Sequence, residues 1–133
     1  GKTLKLMTEE GITASEGSAN VLGVTFKENC PDTRNSQVFP LIEALKGFGL
    51  KVSAVDPWAD ASSVFDETGV PLKNVDELEP ATVTLLAVPH QEFREKGYAW
   101  IRSMTKTPGV FVDIQAVFRA SAADDETLRH WSL

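Results

Sequence analysis

The side chains best suited to chemistry lie in one polar segment that follows a short apolar run. Residues 21–36 read VLGVTFKENCPDTRNS, so a strand-like run ends at Phe26 and a polar loop begins at Lys27. Lysine supplies a compact positive charge, and the guanidinium of Arg34 can pair with a phosphate through two hydrogen bonds. The turn after the first strand of an α/β unit faces the crevice where nucleotides bind. The segment therefore predicts a site for a phosphorylated ligand.

A glycine-rich phosphate loop is missing from this segment. The fingerprint G-x-G-x-x-G places bare backbone N–H groups against a pyrophosphate, but Gly23 stands alone within the apolar run. Side chains must replace those backbone donors. We therefore predict nucleotide recognition without the dinucleotide signature.

Each of these side chains also has a purely structural interpretation. Lys27 is either a ligand contact or a solvated surface lysine, and a lone aromatic at a strand end, such as Phe26, usually packs in the core. Arg34 can pair with a phosphate, with Asp32 inside the loop, or with both. Capping of the next helix is the favoured role for Ser36 or Asn35.

Other candidate groups are predicted to be structural. Asp56 precedes Pro57 and favours a strand-ending turn over binding of a ribose. Cys30, the only cysteine, has no nearby histidine to activate it and is predicted to be an unreactive loop thiol. His90 and His130 are too dispersed for a metal site, and His90 with Glu92 is expected to shape a turn.

Composition and charge exclude several classes of function. The net charge of −6 argues against a nucleic-acid surface, although a local cluster of cations is compatible with it. The chain has no apolar run of about 18 residues and no signal-peptide pattern. We expect a cytoplasmic protein that binds neither membrane nor nucleic acid.

The elements that must position these residues alternate along the chain. Strands are predicted at residues 20–26, 51–55, 70–72 (brief), 82–88 and 110–114, with helices at 35–48, 60–68 and 91–104 and a helical turn at 75–78. Residues 120–126 are expected to be loosely structured, with Trp131 docking the tail. Such alternation predicts an α/β fold, a Rossmann-like three-layer sandwich with an open, mainly parallel sheet of five or six strands.

The run TFKENCPD at residues 25–32, with Arg34 and Ser36, resembles the C-terminal domain of UDP-sugar and GDP-mannose 6-dehydrogenases. Its Asn-Cys-Pro variant is similar to the enzymes that oxidise UDP-N-acetylhexosamines to uronic acids for bacterial surface polysaccharides. Segments 55–58 (VDPW), 85–93 (LLAVPHQEF) and 130–133 (HWSL) agree. The resemblance covers residues 19–133 as the nucleotide-sugar-binding domain, with residues 1–18 as the stump of a preceding central helix and a linker.

The resemblance implies roles for four residues. Phe26 and Lys27 would contact the UDP-sugar, and Arg34 would reach the pyrophosphate of NAD, the cofactor of the full-length enzyme. Gln115 follows the strand-ending Asp113 where the family usually has a basic residue, so this contact is either weaker or compensated by a neighbour such as Arg119.

The resemblance also implies partners and limits. The intact protein would carry N-terminal NAD-binding and central domains, and would form a homo-oligomer. The family's catalytic cysteine belongs to the central domain, so no catalytic residue and no metal ligand is predicted in these 133 residues. By themselves they should bind and not catalyse.

Two rival functions come from other classes. A freestanding signalling module of the receiver type has a similar length, but it needs an acidic pair after the first strand and a lysine ending the fifth, where this chain has Gln115. The second rival is an interaction domain with a vestigial crevice, in which Lys27 and Arg34 serve packing alone.

Overall fold

The computed structural model describes residues 17–132, which form one parallel sheet with helices on both faces. The strands are β1 Ser18–Leu22, β2 Lys51–Val55, β3 Ala81–Leu86, β4 Thr105–Asp113 and β5 Arg129–Ser132, and the helices are α1 Val38–Gly47, α2 Ala61–Thr68, α3 Gln91–Ser103 and α4 Arg119–Ala123. A short 3-10 turn spans Val75–Glu77. Residues 1–16 of the predicted stump lie outside the described residues.

The sheet has the order β2-β1-β3-β4-β5, and every neighbouring pair is parallel. One apolar cluster joins the sheet to α1 and α2 through Ile42, Leu45 and Val64. The other joins its opposite face to α3 and α4, with Phe93 and Ile101 fully buried. Strands covered on both faces are buried along nearly their whole length, as β1 and β3 are, and their polar side chains Asn20 and Thr84 are hydrogen-bonded. The predicted three-layer α/β fold is confirmed.

Strand β1 ends earlier than its apolar pattern predicts. The run stays apolar to Phe26, but Gly23 has φ +87° and turns the chain away after Leu22. The predicted strand at residues 70–72 is wrong, because only an isolated bridge joins Leu72 to Ala54. Pro71 has no N–H group to donate to a ladder, which limits pairing there.

Helix boundaries follow local capping. Helix α1 begins at Val38 instead of residue 35, because Asn35 has φ +59° and cannot belong to a right-handed helix. Asp60 caps α2 by accepting from the backbone of Ser63, and Gly69 closes that helix with φ +71°. Helix α3 is interrupted at Gly97, where φ is +79° and ψ is 174°.

The tail is ordered, contrary to the prediction of loose structure at residues 120–126. Ala122 of α4 is buried, and β5 pairs with β4 so that Trp131 lies opposite Val112. The Tyr98 hydroxyl of α3 donates to Asp125 at 2.8 Å, and Arg102 forms an ion pair with the same carboxylate at 3.2 Å. These contacts compensate for the small, polar sequence. None of the helices within residues 17–132 combines the length and apolarity needed to span a membrane.

Candidate functional site

The candidate site lies at the carboxyl ends of β1 and β3. From β1 the chain crosses to β2 on one side and later returns to β3 on the other, so a crevice opens between the loops that follow β1 and β3. Both Ala87 and Val88 donate backbone hydrogen bonds to the carbonyl of Leu22, at 3.0 and 3.2 Å. The Leu22 carbonyl therefore joins the two loops at the base of the crevice.

Gly23 allows this close approach. A Cβ atom at this position would lie 2.5 Å from the Val88 carbonyl oxygen and 2.6 Å from the Val88 Cβ. The lone glycine of the sequence thus serves packing between the two loops, and not direct contact with a phosphate.

Asp56, directly after β2, is the polar centre beneath the crevice. Its Oδ2 accepts from the backbone N–H groups of Val24 (2.7 Å) and Thr25 (3.2 Å), and its Oδ1 from those of Trp58 (2.7 Å) and Ala59 (3.0 Å). The predicted strand-ending turn is therefore present. The same side chain also ties the end of β1 to the end of β2.

His90 completes the bonding of Asp56. Its Nε2 lies 2.9 Å from Asp56 Oδ2, and both side chains are fully buried. Burial alone raises the pKa of Asp56, but hydrogen bonds from His90, Val24 and Trp58 outweigh that cost and lower the pKa below its ordinary value. Asp56 is therefore a carboxylate at neutral pH.

The other ring nitrogen of His90 fixes its tautomer. Nδ1 lies 2.8 Å from the backbone nitrogen of Asn29, whose N–H can only donate. Nδ1 must therefore be the acceptor, and Nε2 carries the proton that is shared with Asp56. His90 is a neutral imidazole that joins a buried carboxylate to the loop above it.

The loop above it includes a tight bend at residues 25–29, which we call the binding turn. Thr25 Oγ1 donates to the Lys27 carbonyl at 2.9 Å, and Asn29 adopts φ +54°. The Asn29 side chain accepts from the backbone of Gln91 at the start of α3, at 2.8 Å. Arg94 of α3 pairs with Glu28 at 3.2 Å. The binding turn is held from below and from α3.

Phe26 and Lys27 are the residues that the binding turn presents. Phe26 is 55% exposed, so the usual core packing of a strand-end aromatic does not apply here. Its backbone N–H donates to the carbonyl of Asp32 at 2.7 Å. Lys27 is exposed, and no hydrogen bond or ion pair engages its ammonium group within residues 17–132.

Arg34 lies beside them and forms the predicted bridge with Asp32. Its Nε and Nη2 each donate to one carboxylate oxygen of Asp32 at 3.0 Å, while its side chain remains 86% exposed. The hydrogen bonds from Arg34 lower the pKa of Asp32, and the same pairing raises the pKa of Arg34. An open depression of about 200 Å³ lies between Phe26, Asp32, Arg34 and Asn35. Both cations of the sequence motif therefore face solvent in one loop.

Ser36 has a structural role, but it is not the predicted helix cap, because the N-cap position of α1 is Gln37, whose side chain forms no capping hydrogen bond. Its hydroxyl donates to the Val24 carbonyl at 2.8 Å and accepts from the backbone of Val38, the first residue of α1, at 3.2 Å. Asn35 supplies the left-handed bend instead of a cap.

Gln115 lies on the same edge of the sheet but in a different loop. Asp113 accepts from the backbones of Val117 (3.0 Å) and Phe118 (2.7 Å), and Ala116 has φ +56°, so a tight turn presents Gln115 to solvent. In the described part of the chain Gln115 makes no hydrogen bond with Phe26, Lys27 or Arg34. The structure thus groups three of the four predicted residues and leaves Gln115 two strands away.

The sequence analysis did not predict that His90 connects the loop after β1 to Asp56, which follows β2. Glu92, its expected partner in a turn, instead accepts from the indole N–H of Trp58 at 3.0 Å. The available signal was that Asp56 and His90 each follow a buried strand closely. Cys30 is partly buried and unpaired, and residues 17–132 contain no group of three or more histidine, cysteine or acidic side chains placed to hold a metal ion.

Comparison with known proteins agrees with this geometry. Residues 20–120 match the model for the UDP-glucose/GDP-mannose dehydrogenase family, UDP binding domain. The chain is 37% identical over 117 residues to Protein CapL of Staphylococcus aureus, covering 88% of this chain and 27% of CapL. It is 36% identical over 122 residues to UDP-N-acetyl-D-glucosamine 6-dehydrogenase of Salmonella typhi, covering 91% and 28%. The chain thus spans little more than a quarter of these relatives.

Solved structures share the fold. NDP-N-acetyl-D-galactosaminuronic acid dehydrogenase from Methanosarcina mazei Go1 superposes with a TM-score of 0.81 at 19% identity, covering 98% of this chain and 27% of that one. UDP-D-ManNAc dehydrogenase from Pyrococcus horikoshii gives 0.71 at 20% identity, covering 96% and 28%. From the family match over most of its length, the chain belongs to the UDP-glucose/GDP-mannose dehydrogenase family and contains that family's UDP binding domain.

Proposed function

We propose that this chain is the UDP-sugar-binding domain of an NAD-dependent UDP-N-acetylhexosamine 6-dehydrogenase. The intact enzyme would oxidise the C6 hydroxyl of the sugar to a carboxylate for surface polysaccharide synthesis. The named relatives support an N-acetylated substrate, because the Salmonella typhi enzyme is 36% identical whereas a UDP-glucose 6-dehydrogenase of Rhizobium meliloti is 28% identical. UDP-glucose is the alternative substrate.

The observation that carries the proposal is the exposed Phe26-Lys27 pair on a turn fixed from below. The Phe26 ring is 55% exposed and the neighbouring Lys27 is exposed as well, so a single turn of fixed shape offers an apolar face and a positive charge to the same ligand. Lys27 would pair with the diphosphate or with a sugar hydroxyl, and Phe26 would offer an apolar face to the nucleotide. Gln115 would add a hydrogen bond from the neighbouring loop, without charge.

NAD, when bound, supplies the acceptor for the hydride. The residues described here do not form a dinucleotide site by themselves, because the chain lacks the glycine fingerprint and the loop after β1 contributes a single arginine, Arg34. Arg34 fits a supporting role: with Nε and Nη2 engaged by Asp32, its exposed Nη1 is left to donate to a phosphate. In the proposal Arg34 forms the far wall of the NAD cleft.

The remaining parts of the enzyme are proposed on the same basis. Since the chain spans little more than a quarter of its relatives, an N-terminal NAD-binding domain and a central domain would supply catalysis. Residues 1–18 would be the end of the central helix and a linker, and residues 19–133 the binding domain. The intact protein would be a cytoplasmic homo-oligomer.

A titration followed by amide NMR tests the proposal. We expect UDP-N-acetylglucosamine to shift the resonances of Phe26, Lys27, Arg34 and Gln115 in a saturable manner, and GDP to shift them less. Lys27→Ala should weaken binding about tenfold, the loss expected for one charge-assisted hydrogen bond, without a change in melting temperature. Lys51→Ala is the matched control, because Lys51 is exposed at the opposite end of the sheet. Unchanged binding by Lys27→Ala would refute the assignment.

A further inference from the structure

The fully buried side chain of His90 contacts the binding turn on one side and the polar centre of the fold on the other. We propose that His90 is a positioning residue that holds the binding turn in its ligand-facing conformation without touching the ligand. It does so as a neutral imidazole, accepting from Asn29 and donating to Asp56. The inference rests on the proposed function, since it concerns the turn that presents Phe26 and Lys27.

The partners of His90 lie in two different loops, so the ring does more than satisfy its own hydrogen bonds. His90 packs between Trp58 and Phe93, with ring centroids 6.1 and 6.0 Å away, and Asp56 alone would stabilise one ring nitrogen. The second nitrogen accepts from the backbone of Asn29, which is 61 positions away in sequence. That backbone has φ +54°, a conformation that needs support from its surroundings.

The path from His90 to the presented residues is short. Asn29 closes the bend that begins at Thr25, and Thr25 Oγ1 both donates to the Lys27 carbonyl and lies 3.2 Å from His90 Nε2. The ring therefore contacts both ends of the binding turn. Loss of the Nδ1 acceptor would leave the Asn29 N–H unpaired and release the segment that carries Phe26 and Lys27.

Protonation of His90 is the natural perturbation of this contact. A proton on Nδ1 would point at the Asn29 N–H and break that hydrogen bond, while Nε2 would keep Asp56 as its partner. The charged groups on the segments that contact the ring are Asp56 after β2, Glu92 and Arg94 at the start of α3, and Lys27 and Glu28 in the turn itself. Arg94 and Glu28 neutralise each other at 3.2 Å, so the turn would retain that weaker tie to α3.

Glutamine separates the hydrogen-bonding role of His90 from its ability to take up a proton. His90→Gln offers one acceptor and one donor, as the neutral imidazole does, but cannot become charged. His90→Leu removes both. His130→Gln replaces the only other histidine of the chain, which is exposed on β5, and serves as the control.

The experiment combines two readouts on the 133-residue protein. Ring ¹⁵N shifts should report the Nε2–H tautomer of His90, and the amides of Phe26, Lys27 and Asn29 should move with the same pH midpoint as the ring. The dissociation constant for UDP-N-acetylglucosamine, whose diphosphate has no proton to gain near neutrality, should rise about tenfold over the same transition. His90→Gln should bind within about threefold of the wild type at neutral pH and lose the pH dependence, while His130→Gln should retain it.

Several outcomes would overturn the inference. These are a His90→Gln protein that keeps the pH dependence, turn amides that ignore the protonation of the ring, or a folded His90→Leu protein that binds like the wild type. If His90→Leu fails to fold, the glutamine variant and the pH series decide. If no UDP-sugar binds to the wild type or to a longer protein, the proposed function fails, but the tautomer and the turn amides still test positioning separately.

Discussion

Asp56 gathers donors from three loops onto one buried carboxylate. Five groups donate to its two oxygens, four of them backbone N–H groups and the fifth His90 Nε2. A buried carboxylate is tolerated only when it is bonded this fully, and removal of its charge leaves donors without partners. This residue therefore contributes to stability and to the shape of the site together.

Asp56→Asn should lower the free energy of unfolding at pH 7 by about 3 kcal/mol, because the amide nitrogen must face donors. The loss should shrink in acid. The pKa of Asp56 is lowered in the folded protein, so as the pH falls below 3.8 the unfolded state takes up the proton first and the wild type loses the advantage. Urea unfolding at pH 7 and near pH 3 measures both values.

The matched control for this prediction is Asp66→Asn, a substitution of an exposed aspartate on α2. It should change stability by less than about 0.5 kcal/mol at either pH. A deficit of Asp56→Asn that stays constant between the two pH values would show that the charge of Asp56 is not what stabilises the loops.

At the scale of elements, the end of β1 decides where the binding loop starts. Gly23 has φ +87°, and the Val88 segment occupies the space of a side chain there. We expect Gly23→Ala to destabilise the protein by about 3 kcal/mol, from the left-handed backbone and the overlap together. Thermal or urea unfolding would measure the change.

Gly47→Ala provides the contrasting substitution. Gly47 ends α1, and a Cβ atom added there would meet no other atom within 4 Å, so alanine should be neutral or stabilising by about 0.5 kcal/mol. If the two substitutions changed the free energy of unfolding equally, the effect at Gly23 would come only from the lower conformational entropy of the unfolded chain, and not from overlap in the folded protein.

An element can be predicted from the sequence when the residues that determine it are close together in the chain. Strand β2 matches its prediction because its apolar pattern is local. Helix α2 matches because Asp60 caps its start and Gly69 ends it. The ordered tail was missed because its stability comes from Tyr98 and Arg102, more than 20 positions away. In the binding turn, Lys27 was predicted from the local sequence. The support from His90 was not, because it comes from a residue 61 positions away from Asn29.

At the scale of the whole molecule, the sheet separates two apolar layers, and the site lies at one edge of it. The described residues present a wall of a pocket and no nucleophile paired with a base. We therefore expect these 133 residues to bind UDP-N-acetylglucosamine without oxidising it. Mixing the protein with NAD and the sugar nucleotide should give no NADH absorbance, while the NMR titration shows binding.

A longer protein from the same source, with the proposed additional domains, is the control for that prediction and should produce NADH. Production of NADH by the 133 residues alone would contradict the proposal that this chain binds the substrate and that the other domains supply catalysis. It would place a hydride-transfer site on residues that we assign to binding.

The pairing of β1 with β3 has a kinetic consequence. Ser18 and Thr82 bond across 64 positions of sequence, and the crevice does not exist until these two central strands meet. Contacts so distant in sequence require the closure of a long loop, which slows folding. A nucleotide sugar would then bind only to chains in which β1 and β3 have paired. Binding of the proposed UDP-sugar should therefore stabilise the folded state by mass action and lower the fraction of chains that is unfolded.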